Sequence, residues 1–537
     1  MSDLDSLLSQ ALSLKQQGRA DLAAELLANS KQKDKSPEAM NLFGICLISM
    51  GRAAEAESAF RSLLANGSNE APVHQNLGLA LRMQNKSHEA LQEFQTALVL
   101  DPREQNFLQV FKQLQHLSLW NEAVANLQSG LAAHPDSLRL AEALAITYGR
   151  LNRIQEAEEL FKRIYAKGPS NANAHATWLQ EQGRFQDSVP ILYESLKMVP
   201  EQGVPYRLLA EAKHYSFDQD SAMALAYSVK LNASERMNLA YALGRLFESR
   251  KAFKDSMEWF DRANDLAYGI YPSSKTFNAE WVHREPGLAA SIYTKKDLEQ
   301  WAPFGSTDER PVFIVGMIRS GTTLLDQIVS SHAQVVAIGE SPFWTAEGDA
   351  IHSKWLASGP DQIDIDKISK RYIQSIRSLE EYERFTDKMP LNFRHLGLIN
   401  IAFPNAKILH IRRDPFDACL SIYTTFFSGG PNFAYRKENI VAFYRSYLAF
   451  MEHWRQVLPA KTFMELDYES LVTEPEPITR EIITFLGLPW DKACLSPQSN
   501  TSQVSTPSRW QARQPVYTTS IGKKEIFGQF IPEFLNI

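Results

Sequence analysis

Cysteine is scarce in this chain: three in 537 residues, at Cys46, Cys419 and Cys494, too few and too scattered for a disulfide framework or a thiolate metal centre. A reducing compartment fits that usage. Long hydrophobic runs are missing as well. No uncharged apolar stretch reaches the roughly 18 residues of a membrane span, and Met1-Ser2-Asp3-Leu4-Asp5-Ser6 has neither the basic start nor the apolar stretch of a secretory leader. The expectation is a soluble, cytoplasmic protein. There is no basic excess: 56 Lys and Arg stand against 62 Asp and Glu, a formal charge of −6, which leaves no footprint for nucleic acid or an anionic membrane. His332, His395 and His410 show no metal-ligand spacing, so no metal is expected. Length is what the chain does have, more than one ordinary core accommodates, so two or more domains follow.

Gly44 and Gly78 lie 34 residues apart; each is followed twelve residues on by alanine (Ala56, Ala90) and sixteen on by phenylalanine (Phe60, Phe94). The small-then-large pair recurs as Ala23/Leu27, Ala123/Leu127, Ala157/Phe161, Ser188/Leu192 and Ser256/Phe260, the last with Gly244 twelve residues before it. Pro102, Pro135, Pro169 and Pro200 punctuate the run at intervals of 33, 34 and 31 residues. This is helix–turn–helix repeat arithmetic: the small residue lets two helices approach, the large one fills its neighbour's groove, and no unit buries its apolar face alone. Residues 1–267 resemble tetratricopeptide repeats, degenerate between Pro200 and Ala233. The resemblance implies an all-α, right-handed solenoid whose concave face binds a peptide or protein partner, with a scaffold or dimerisation surface as the alternative. Residues 268–310 read as a connecting region, turn-rich at Tyr271-Pro272-Ser273-Ser274 and at Ala302–Thr307, with one short helix at Lys295–Trp301.

Residues 311–537 form the expected second domain. Val312-Phe313-Ile314-Val315 is an apolar run followed by Gly316-Met317-Ile318-Arg319-Ser320-Gly321-Thr322-Thr323, after which Leu324, Leu325, Ile328 and Val329 have helical spacing. Strand, glycine loop and helix make a phosphate cradle, in which backbone N–H groups and a helix N-terminus face an anion. The spacing is that of G-x-x-x-x-G-K-[ST], but Thr322 stands where the lysine belongs. Triphosphate chemistry thereby loses its main charge clamp, whereas one 5′-phosphate can still be held. Val335–Ile338, Arg384–Pro390, Ala406–Pro415 and Lys461–Leu466 read as further strands, the middle two each ending in charge and proline. Ile365–Leu379, Phe416–Phe427, Ile440–Val457 and Pro477–Leu486 have helical spacing, and the alternation predicts a mostly parallel α/β sheet.

Five short motifs occur in order: R-S-G-T-T at 319–323, G-E-S at 339–341, a lysine before a proline at Lys388, R-D-P at 413–415 with a serine at Ser421, and D-Y-E-x-L at 467–471. Over residues 311 to about 490 the chain resembles the sulfotransferases, in the arrangement of protein-tyrosine sulfotransferases and of bacterial tetratricopeptide–sulfotransferase fusions. The resemblance implies a P-loop-like fold and 3′-phosphoadenosine 5′-phosphosulfate as sulfuryl donor, with no metal. It implies that Ser320, Gly321, Thr322 and Thr323 hold the 5′-phosphate, that Arg319 steadies the bridging and sulfuryl oxygens of the donor, and that Arg413 and Ser421 clamp the 3′-phosphate, Arg412 being the other possible register. Tyr468, Ser502, Ser520 and Lys523 are further candidate donor contacts. Glu340 is the candidate base, Lys388 and Arg319 the cations at the leaving oxygen. A structural ion pair for Glu340, a surface position for Lys388 and core packing for Tyr468 are the bland alternatives. Asp414 and Asp417 look like helix-start residues. The acceptor hydroxyl, on protein tyrosine, carbohydrate or small molecule, stays open, since 342–365 and 424–440 carry no motif. A nucleotide-dependent phosphotransferase and a non-catalytic adaptor are the rival readings.

Overall fold

In the computed structural model, residues 3–30, 36–84, 86–117, 119–151, 153–166, 172–359, 363–376, 381–500 and 507–537 are described. The chain divides into two compact units, Met1–Lys167 and Gly168–Ile537. Among the described residues of the first, ten helices run from Asp3–Gln16 to Ile154–Ala166. The repeat glycines have a clear physical role. A Cβ on Gly44 would lie 2.5 Å from Cζ of Phe60, and one on Gly78 would lie 2.8 Å from Cε1 of Phe94. The ring sixteen residues on therefore rests directly on the glycine backbone, and both phenylalanines are buried. Side-chain caps start several of these helices, Ser36 accepting from the Ala39 N–H and Ser137 from the Leu140 N–H.

Further helices follow in the second unit, Ala172–Glu181, Phe185–Met198, Val204–Glu211, Gln219–Tyr227, Ala233–Ser249 and Phe253–Ile270. There Gly244 repeats the device, its would-be Cβ 2.8 Å from Cε1 of Phe260. The degenerate stretch folds as the two shortest of these helices, Val204–Glu211 and Gln219–Tyr227. In the connecting region Lys295–Trp301 is helical, with a Thr294/Asp297 capping box. A 14-residue helix, Ala279–Ile292, precedes it where only turns were expected. Pro286 in its interior disguised it; proline removes one ladder bond, and the helix persists with Val282, Ala289 and Ile292 buried on one side.

Five parallel strands follow: β1 (Pro311–Gly316), β2 (Val335–Gly339), β3 (Arg384–Asp387), β4 (Lys407–Arg412) and β5 (Phe463–Asp467), in the order β2-β3-β1-β4-β5. β1 is central and buried along its whole length. Its side chains alternate between two cores: Val312 and Ile314 pack with Leu409, Leu466 and Ile482. Phe313 and Val315 join a larger cluster that also holds Leu239, Leu243 and Phe260 of the repeat helices. The last repeat helices and the sheet thus share one core. Because every strand is parallel, all five carboxyl ends lie on one edge, where ligands bind in open α/β sheets. The α-helical region followed by a parallel α/β sheet is the fold class that the sequence predicts. Among the described residues no helix is long and apolar enough to cross a membrane.

Candidate functional site

The turn after β1 has two residues in the left-handed region, Arg319 (φ 68°) and Gly321 (φ 104°). Gly321 precedes the helix Thr322–Ser330, whose first-turn N–H groups have no intrahelical acceptor. A Cβ at Gly321 would run into Cδ2 of Tyr468 and one at Gly316 into the Ile411 carbonyl oxygen, so both glycines of the motif are dictated by close approach. The Ser320 N–H is already spent on the Met317 carbonyl at 3.1 Å. Its hydroxyl is buried without a partner, tucked toward Gly316. Arg319, Gly321 and Thr323 line a cavity of about 320 Å³; Ser320 and Thr322 are buried beneath it.

On the far side of that cavity stand the residues after β4. Arg413 donates through NH1 to the Arg319 carbonyl at 3.0 Å and through NH2 to the Ser520 carbonyl at 2.5 Å. Its guanidinium lies 4.9 Å from the centre of the Tyr468 ring, and the Tyr468 hydroxyl meets that of Ser520 at 2.7 Å. Arg412 turns outward, pairing with exposed Asp467 at 2.5 Å, so the register left open by the sequence has Arg413 facing the cavity. Ser421 accepts from Nε of Arg319 at 3.2 Å. Asp414 caps the helix Pro415–Tyr423 by accepting from the Asp417 N–H. Asp417 does more than start that helix: its two oxygens accept from the Gly522 and Lys523 N–H groups, each at 2.8 Å, and hold the tail segment of Ser520 and Lys523 over the cavity. Ser502 lies outside the described residues.

Glu340 follows β2 and Lys388 follows β3. Lys388 is buried rather than a surface lysine, and its Nζ pairs with Glu340 Oε1 at 2.5 Å. Glu340 faces a second, larger cavity of about 860 Å³ that also reaches Arg319. Below this pair, burial pushes the Asp387 carboxyl up to about 7, with Tyr372 donating to it at 2.8 Å. Asp326 is raised to about 6, again by burial, while Thr386 donates to it at 2.6 Å.

The two cavities share Lys213, Arg245, Arg319, Thr424, Trp510 and Gln511. Charge in the smaller one is lopsided. Among the described residues, Lys213, Arg245, Arg319, Arg413 and Lys523 line it against Glu248 and Asp417 alone, and Glu248 is taken by Arg245 at 2.7 Å. Burial, with Arg245 and Arg413 adding repulsion, lowers Arg319 to about 10. Such a cavity has the chemistry of a polyanion site. Sequence reasoning passed over Ser508, which accepts from Arg319 NH1, and over Lys213 and Arg245, which come from the repeats; only the Ser-Arg-Trp run at 508–510 offered a local signal.

Two of the histidines make structural contacts: His410 on β4 bridges Glu465 (2.7 Å) and Tyr447 (2.5 Å), and His332, in the turn before β2, meets the Pro489 carbonyl at 2.8 Å. The fold also gathers Asp349, His352 and His395, their ligand-type atoms within 4.8 Å of one another; none of the three lines either cavity.

Known proteins resemble both parts of the chain. The model described as "Sulfotransferase family" matches residues 311–492, and a tetratricopeptide repeat model matches 8–71, 47–105 and 117–172. An uncharacterized protein of Aquifex aeolicus is 28% identical over 412 residues, covering 72% of this chain and 53% of that protein. The protein-tyrosine sulfotransferase of Drosophila melanogaster is 28% identical over 207 residues, 34% of this chain and 39% of the relative. Protein-tyrosine sulfotransferase 1 of Danio rerio is 25% identical over 231 residues, 39% and 61% respectively. The chain thus spans about half the length of the curated relatives it matches. Among solved structures, the sulfotransferase domain from the Synechococcus PCC 7002 olefin synthase is 21% identical with a TM-score of 0.31, covering 43% of this chain and 90% of that one. A thermophilic tetratricopeptide repeat protein of Thermus thermophilus is 20% identical with a TM-score of 0.26, covering 32% and 96%.

Proposed function

For a chain that sets a sulfotransferase-family domain at residues 311–492 behind tetratricopeptide repeats, we propose the transfer of a sulfuryl group from 3′-phosphoadenosine 5′-phosphosulfate to an acceptor hydroxyl, that of a tyrosine in a protein or peptide. The observation that carries this reading is the cavity beside the glycine turn, where five cations face two carboxylates that are already engaged. Only a ligand with several negative charges balances it. The donor supplies the sulfuryl group and leaves as the bisphosphate.

The chain's residues fit that ligand in kind. N–H groups at Gly321–Thr323 and the Thr323 hydroxyl suit the 5′-phosphate at the start of the helix Thr322–Ser330. The Arg413 fork with Ser421, Ser520 and Lys523 suits a terminal phosphate. Glu340 and Arg319 both line the larger cavity, which supports a carboxylate base for an entering hydroxyl; it would take the hydroxyl proton as the oxygen attacks sulfur. Lys388, held against Glu340, and Arg319 are the cations for charge that builds on the departing oxygen. Solenoid and larger cavity together favour a polymeric acceptor.

The test is calorimetric titration of metal-free protein with 3′,5′-adenosine bisphosphate and, separately, with ATP and Mg²⁺, on wild type and Arg413→Ala. Selective bisphosphate binding that weakens in the variant supports the donor site. Tighter binding of ATP with Mg²⁺ returns the phosphotransferase reading, and binding of neither leaves an adaptor.

A further inference from the structure

The repeats place two cations in the donor cavity. Arg245 comes from the helix Ala233–Ser249; NH2 donates to the Thr424 carbonyl at 2.7 Å, three residues past Ser421, and NH1 pairs with Glu248. Lys213 sits just past the helix Val204–Glu211 with φ 59°. Its N–H donates to the Ala210 carbonyl and the next N–H to the Leu209 carbonyl. The same bonding pattern recurs at Gly18, Gly51 and Gly183, all with positive φ. These repeats use glycine where the backbone turns left-handed, since a side chain there is strained. Lys213 and Lys251 are side chains at that position, and of the two only Lys213 lines the cavities. Its ammonium has no hydrogen bond or ion pair among the described residues and lies 5.3 Å from the centre of the Trp510 ring.

We propose that Lys213 and Arg245, carried by the helical repeats, are part of the donor's anion site, so that the doubly phosphorylated nucleotide is gripped from the repeat side as well as from the sheet. This rests on the donor reading above. Several observations converge on it. The Lys213 side chain has no hydrogen bond or ion pair among the described residues, is open to the cavity and is kept at a strained position, with Glu248 opposing it and Arg245, Arg319 and Lys523 as cationic neighbours. Burial and the repulsion of those neighbours lower it to about 8, a strain that an anion between them relieves. Glu248, committed to Arg245, offsets only part of it.

The experiment is titration of the full chain with 3′,5′-adenosine bisphosphate across wild type, Lys213→Gln, Lys213→Arg, Lys251→Gln and Arg413→Ala, with melting curves for each. Lys213→Gln is expected to bind roughly tenfold or more weakly, the range of one lost charge-assisted hydrogen bond, with a shallower salt dependence. Lys213→Arg recovers most of the affinity and Lys251→Gln binds as wild type. The Arg245→Gln/Glu248→Gln double variant, which leaves no orphaned carboxylate, is weakened too. Affinity of Lys213→Gln within twofold of wild type, while Arg413→Ala binds weakly, overturns the proposal and leaves the donor reading standing. No binding of the bisphosphate to wild type overturns both.

Discussion

Replacing Gly321 by alanine separates two costs that meet at one atom. The first is conformational: at φ 104° an L-residue is strained, by about 1–2 kcal/mol. The second is steric, because the new methyl would run into Cδ2 of Tyr468. That ring cannot swing away freely, being tied by its hydroxyl to Ser520 and by its face to Arg413. Overpacking of this kind costs about 1–3 kcal/mol, so Gly321→Ala is expected to destabilise by roughly 2–5 kcal/mol in all. Because the ring must move, Arg413 and Ser520 move with it, and bisphosphate affinity falls alongside stability. Tyr468→Leu removes the obstructing ring but not the backbone strain. In a double-mutant cycle read by denaturant unfolding and by bisphosphate titration, the combined variant is expected to be better than the sum of the singles by the steric share. Additivity within about 0.5 kcal/mol would refute the clash, and full-strength bisphosphate binding by Gly321→Ala would refute the role of this turn.

Glu340→Gln is expected to lower turnover by roughly 10²–10⁴ while bisphosphate affinity holds; weak binding in that variant would give Glu340 a structural role instead. Arg412→Ala removes only an exposed pair with Asp467 and should cost at most about 1 kcal/mol with unchanged titrations, in contrast to Arg413→Ala. Asp387 is raised when folded to about 7, so its stabilising contribution is full below the unfolded carboxyl value near 4 and is lost as pH rises to 7. Unfolding free energies of wild type from urea titrations should therefore fall by up to about 1.4 kcal/mol per pH unit across that window, a slope that Asp387→Asn flattens. A fragment starting at residue 268 should come out aggregated or unfolded, judged by melting and light scattering, whereas one starting at residue 172 keeps a cooperative transition.

What the sequence made legible was whatever is local. Strands buried in a parallel sheet read as apolar runs, and so β1 and β2 fall within a residue of expectation, whereas β3 and β4 stop three residues short of stretches that run on to Pro390 and Pro415. The glycine turn was legible because spacing alone fixes its backbone. The repeats were legible because one contact, glycine under phenylalanine, returns at a constant offset. Ala279–Ile292 was hidden because Pro286 masks its periodicity, and the second role of Asp417 because its acceptors' donors lie more than a hundred residues downstream.

The site divides along the same line. Arg319, Glu340, Lys388 and Arg413 each sit at or just past the end of a strand, where a motif can announce them. Lys213 and Arg245 carry no motif, because their meaning comes from packing. Asn264 donates to the Tyr423 carbonyl at 2.8 Å, Tyr423 donates to Asp261 at 2.6 Å, and the Tyr241 and Phe426 rings meet edge to face. Those contacts fix the helices Ala233–Ser249 and Phe253–Ile270 against the segment that follows Ser421. Once that segment is fixed, the position of Arg245 relative to Thr424 is fixed as well. A repeat helix built to stack on its neighbour has therefore become a wall of the cavity, and the same buried contacts that stabilise the second unit set the charge that a donor would meet there.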